Sequence, residues 1–135
     1  MLESVPKLQD FVYVVNEGQR QMVEDIITQF QQKVLDKFDI FEKGMIHGDF
    51  NEQNILVNKN QAKTDYVVSG VLDFGDTQYS CLVFELAVGM TYMMMINGDI
   101  TTGGLFMAGY SMTRLVPEHE EMVLKVRNNL FKFSS

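Results

Sequence analysis

The chain has a single cysteine, Cys81, so no disulfide can close within it, which fits a reducing compartment. Basic residues are few: 11 Lys and Arg stand against 18 Asp and Glu, a net charge of −7. That balance argues against a nucleic-acid partner, which would need a basic patch. The opening "MLESVPKLQDF" has neither the basic start nor the apolar run of a secretory signal. The longest apolar stretch, Cys81–Ile96, is 16 residues long and carries Glu85. It falls short of the ~20 residues of a membrane span and is expected to be a buried core helix. The expected setting is cytoplasmic, with no membrane partner. With 46% hydrophobic and 21% charged residues in 135, one domain of ordinary size is expected.

Residues 1–18 read as irregular, and Phe11–Val15 is either a short strand or a helical turn. From Gln19 the apolar residues Met22, Val23, Ile26, Ile27, Phe30, Val34, Leu35 and Phe38 recur at helical spacing, until Gly44 ends the run. "NILVN" (54–58) and "DYVVSGVLDF" (65–74), separated by the polar "KNQAKT", predict a β-hairpin. Pairing its strands would bring 47–54 close to 73–76. After Asp76 a helix is expected over Leu82–Met95, a second over Thr101–Met112, and a third after Pro117 with Met122, Val123, Val126, Leu130 and Phe131 on one face. Glu118, Glu120 and Glu121 lie at the start of this last helix, where the dipole favours negative charge.

His47, Asp49, Asn54 and Asp73 form the candidate chemistry. Phosphoryl transfer needs a carboxylate beside the attacking hydroxyl, oxygen ligands for magnesium, and an in-line donor. An Asp followed five residues later by an Asn, in a loop entering a strand, can supply the first and part of the second. Asp73, followed by Phe and Gly at the end of the partner strand, supplies a second carboxylate. Magnesium prefers such hard oxygen ligands. "HGD" or "DFG" alone is a weak signal, and an Asp–Asn pair in a loop is commonly turn chemistry. The ordered set H-G-D-x-x-x-x-N, strand, turn, strand, D-F-G is far more specific.

These phrases, "IHGDFNEQNILV" and "GVLDFGDTQYSCLVFELAVGMTYMMM", resemble the aminoglycoside phosphotransferase and choline kinase family, and within it the 5-hydroxylysine kinases of lysine degradation. The resemblance implies an α+β fold: a protein-kinase-like C-lobe fragment, mostly helical, with a small β-hairpin carrying the catalytic and metal-binding loops. It implies Asp49 as base, Asn54 and Asp73 as Mg2+ ligands, and His47 as support of the loop. Asn51 and Asp76 are supporting positions or have no assigned role. It implies GTP as donor, with ATP the alternative, and the side-chain hydroxyl of 5-hydroxy-L-lysine as acceptor, with choline or another amino alcohol open. Glu85 is expected to be a satisfied buried carboxylate, His119 a solvated helix residue, and the methionines at 93–95 core packing.

A kinase of this kind also needs a nucleotide lobe with a glycine-rich loop and a strand lysine. Before His47 there are only Gly18 and Gly44, and Lys33 and Lys37 fall in the helical run. The expectation is therefore a partial phosphotransferase-type domain over 1–135: the C-lobe core, with the N-lobe and the nucleotide-binding residues absent, and a divergent tail at 113–135. An inactive truncated chain acting at most as a binding module is the alternative.

Overall fold

The structure is a computed structural model and describes residues 9–131. Of the irregular start expected over residues 1–18, residues 1–8 lie outside the described residues, and the rest is largely helical, with a 3-10 turn at Gln9–Val14 and a helix from Glu17. The side chains of Val126, Leu130 and Phe131 and the tail after residue 131 also lie outside the described residues. The architecture is mixed α and β, as expected, and divides into two compact units: residues up to 41 together with those from 117 on, and residues 42–116.

In the first unit, helix α1 (Glu17–Lys33) starts at Asn16, whose side chain accepts the Gln19 N–H at 3.0 Å. Ile26 and Ile27 are buried on the stripe the periodicity picks out, while Met22 is exposed. The helix stops earlier than expected: Val34 leaves helical geometry at φ −118°, and Leu35–Ile40 continues as a tighter 3-10 turn. No glycine or proline marks this break, so the spacing runs straight through it. Gln9–Val14 is also a 3-10 turn, which decides the ambiguous Phe11–Val15 in favour of helical geometry. The last helix (Glu118–Phe131) packs on α1 and buries Val123, Leu124 and the whole of Glu120. His119 is exposed and stacks on Phe41, ring centroids 6.3 Å apart.

The second unit carries the candidate residues. Strand β1 (Lys43–Ile46) pairs antiparallel with β4 (Gln78–Cys81), Lys43 opposite Cys81 and Ile46 opposite Gln78. Strands β2 (Ile55–Lys59) and β3 (Tyr66–Val71) form the expected hairpin, with a bulge at Leu56/Val57. Strand β4 is a departure from the sequence reading, which has the chain turning straight to helix after Asp76. "QYSC" has little β-branched content, and its strand state comes from pairing with β1 rather than from local preference.

Helix α2 (Leu82–Asn97) follows β4 directly, and its first residue bonds back through the Leu82 N–H to the Glu42 carbonyl at 2.9 Å. It is apolar on every side and buries Val83, Phe84, Leu86, Ala87, Val88, Met90 and Met94. Of the methionines at 93–95 only Met94 is buried, and Met95 is 59% exposed. Gly98 (φ +61°) turns the chain and Asp99 caps α3 (Ile100–Ser111), which packs against α2. The contact is close because Gly89 has no side chain: a Cβ there would lie 2.6 Å from the Phe106 ring. After α3, Arg114 donates through Nε and Nη2 to Glu42 at 2.9 and 2.7 Å, joining that end of the unit to the start of β1. No helix among the described residues is long and apolar enough to cross a membrane.

Candidate active site

The site is made where β1 and β3 release their chains. His47 follows β1, and its ring bridges two loops. Nε2 lies 2.7 Å from the Leu72 carbonyl, and Nδ1 accepts the Asp49 N–H at 3.3 Å. Only a neutral ring with its proton on Nε2 makes both bonds. The ring also packs against Phe74 and Phe50, with centroids 5.1 and 6.1 Å away. His47 therefore has the geometry of a loop support.

Gly48 sits at φ +87°, and a Cβ there would lie 2.4 Å from the Asp76 carbonyl oxygen. Only glycine lets the two motif loops press together at this point. Its N–H donates to Glu85 Oε2 at 2.9 Å, so α2 reaches up to hold the loop. The expectation for Glu85 is half met: Oε1 is buried and has no hydrogen-bond partner among the described residues.

Asp49 is half-buried, and its carboxylate is held at both oxygens. Asn54 Nδ2 donates to Oδ2 at 3.3 Å and to the Asp49 carbonyl at 2.9 Å. The Tyr92 hydroxyl, from α2, donates to Oδ1 at 3.4 Å. Tyr92 is the residue that sequence reasoning passed over. It lies 43 positions from Asp49 inside an apolar run, where a tyrosine looks like one more hydrophobe. Asn51 caps the short 3-10 turn Glu52–Asn54, accepting the Gln53 and Asn54 N–H groups at 2.9 and 3.3 Å. That work presents Asn54 toward Asp49.

The partner loop is joined to this one through its backbone, the Leu72 N–H donating to the Asn54 carbonyl at 2.8 Å. Asp73 follows at once. It is exposed, has the left-handed φ of +56°, and accepts the Gly75 N–H at 3.3 Å. Asp76 is exposed and contributes its carbonyl, which faces Gly48 and takes a 3.4 Å bond from Gln78 Nε2. Among the described residues no three His, Cys, Asp or Glu side chains gather as a metal cage. The donors on hand are an amide and a carboxylate. With the amide nitrogen of Asn54 committed to Asp49, its amide oxygen is left for a cation. Amide and carboxylate oxygens are hard ligands of the kind magnesium takes alongside phosphate and water.

An apolar cavity of about 660 Å3 lies beside the loop, lined by His47, Phe50, Phe74, Glu85 and Phe106 among others. Asp49 is not among the residues that line it.

A half-buried carboxylate held by an Asn five residues on and by a helix tyrosine, on a loop bonded through its backbone to the one that bears Asp73, offers the oxygen groups that phosphoryl transfer uses. The model of the phosphotransferase enzyme family (APH) matches residues 7–122, and the chain belongs to that family. Among its relatives, hydroxylysine kinase of Xenopus laevis is 35% identical over 98% of this chain and 37% of its own length. Hydroxylysine kinases of Mus musculus and Bos taurus are each 36% identical, over 81% and 86% of this chain and 30% and 32% of their own lengths. The chain thus spans about a third of the length of these relatives. No solved structure matches it.

Proposed function

We propose that this chain carries the catalytic core of a small-molecule kinase. It would move the γ-phosphoryl group of a nucleoside triphosphate, GTP by resemblance, to the side-chain hydroxyl of 5-hydroxy-L-lysine. The observation that carries the reading is the clamped Asp49 carboxylate on a loop bonded to the one bearing Asp73. Relatives named hydroxylysine kinase across most of this chain support the acceptor.

In this reading Asp49 receives the hydrogen bond of the acceptor hydroxyl and takes its proton as the oxygen attacks phosphorus. Asn54 and Asp73 would hold magnesium, whose charge when bound offsets that on the phosphate oxygens. His47 and Gly48 keep the loop shape, Asn51 sets the turn carrying Asn54, and Asp76 presses on Gly48 through its backbone. Residues 1–135 form part of a phosphotransferase domain in a cytoplasmic enzyme of lysine degradation.

The test is turnover of 5-hydroxylysine with magnesium and GTP or ATP, with choline and other amino alcohols as competing acceptors. Hydroxylysine is expected to be phosphorylated in preference to choline, and Asp49→Asn to lower kcat by about 100-fold or more, the usual worth of a positioned base. An Asp49→Asn chain within twofold of the parent would remove the base role. Preference for choline would remove the acceptor. The small share of the relatives' length favours a second reading, a truncated chain that binds without turning over. Magnesium–nucleotide binding by calorimetry with no product formed would establish it.

A further inference from the structure

We propose that Tyr92 is a positioning residue for Asp49, setting the plane of the carboxylate before the acceptor arrives. The inference rests on the base role given to Asp49 above.

A carboxylate turns almost freely about its last torsion, which has broad, two-fold minima rather than three sharp ones. Rotamer preference therefore cannot aim an Asp oxygen at a substrate hydroxyl, and donors must. Asp49 has two, on different elements. Asn54 Nδ2 reaches Oδ2 from the turn after the loop, and the Tyr92 hydroxyl reaches Oδ1 from α2. One donor alone would leave the group free to pivot about that contact. Two, one on each oxygen, fix the plane.

Helix α2 is also a rigid place to mount the second donor. Its Glu85 grips Gly48 one residue before Asp49, and its Gly89 is locked under Phe106. A hydroxyl delivered from such an element is held more accurately than one on a loop. Packing alone would be met at position 92 by phenylalanine, so the hydroxyl is the feature that needs a reason. At 3.3 and 3.4 Å the two contacts are long. Lone pairs stay available for an acceptor, and catalytic hydrogen bonds commonly tighten only when substrate is bound.

Tyr92→Phe removes one oxygen and leaves the ring. It is expected to lower kcat about tenfold, the scale of one hydrogen bond to a charged group, with KM for nucleotide and acceptor within twofold of the parent. A change in KM with kcat intact, or no change in either, would overturn the proposal. A second measurement does not depend on turnover. The chain has five tyrosines, so 13Cζ-tyrosine NMR gives a readable spectrum, with the Tyr92 signal identified by its loss in Tyr92→Phe. Asp49→Ala is expected to move that signal and leave the other four in place. An unmoved Tyr92 signal would show that the hydroxyl does not sit on Asp49 and would sink the inference. If the parent chain gives no turnover, the second reading above holds, while the NMR comparison still decides whether Tyr92 holds the Asp49 carboxylate.

Discussion

Replacing Gly48 with alanine adds one carbon where two motif loops touch. The new Cβ would stand 2.4 Å from the Asp76 carbonyl oxygen and 3.2 Å from the Asp76 carbonyl carbon and Cβ. The obstacle is backbone, which cannot rotate out of the way as a side chain would. The φ of +87° lies beyond the left-handed well that other residues sometimes occupy, so the alanine backbone is strained by ~1–3 kcal/mol before any clash is counted. Relieving the clash needs the loops to part by roughly 1 Å, enough to reach the ordinary contact range that begins at 3.4 Å. Parting them stretches the Gly48–Glu85 bond, now 2.9 Å, and the His47–Leu72 bond, now 2.7 Å. Losing a partly buried bond of this kind costs another ~1–3 kcal/mol. Gly48→Ala should therefore destabilise by about 2–6 kcal/mol, a large part of a domain's ~5–15 kcal/mol. Thermal and urea unfolding followed by circular dichroism should show Tm lower by about 10 °C or more. Gly104→Ala is the control. A Cβ there meets nothing within 4 Å, and the position is helical, so that change should stabilise by ~0.5–1 kcal/mol. If Gly48→Ala unfolds no more easily than Gly104→Ala, the close contact of the two loops does not exist.

Glu85→Ala should cost about 1–3 kcal/mol by leaving the Gly48 N–H unpaired, and the Gly48 amide should exchange with solvent faster. Unchanged exchange would mean the helix does not hold the loop. The Thr101 hydroxyl, and then the Thr101 N–H, hold the Asp99 carboxyl below its usual value of 3.8. The ionised cap therefore stabilises fully above that value and fades as the pH falls through the lower folded-state value. Asp99→Ala should lower Tm at neutral pH, with the gap closing on acidification, and a gap that does not depend on pH would refute the capping account. Arg114→Ala should cost about 1 kcal/mol, because Glu42 is 60% exposed and water screens the pair. Raising the salt concentration should narrow the difference.

The residues that hold the two loops were legible where spacing or local chemistry decides them. Asp49 and Asn54 stand five apart on a turn, and the hairpin that carries them to Asp73 is written in β-branched residues. Helix α2 and its burial follow from an unbroken apolar run. What was not legible depends on partners distant in sequence. Strand β4 exists because β1 is beside it, and Glu85 and Tyr92 matter because the loop folds over them. Single positions inside an apolar helix give no periodic signal for a contact made by a hydroxyl or a carboxylate oxygen. Met95 was expected in the core for the same reason: the helix is apolar all round, so the sequence does not say which side is covered.

The two ladders, β1 with β4 and β2 with β3, share no strand. A lone two-stranded ribbon is marginal in water. Among the described residues, contacts that shape the loops also link the two ladders: His47 to Leu72, Leu72 to Asn54, and Gly48 against Asp76. The two motif loops thus also clasp the ribbons that carry them. Selection on the chemistry and selection on folding fall on the same few atoms, so the loops could not drift freely even in a descendant that had given up turnover. Preserved motifs in such a chain would record a need to stay folded as much as a need to react.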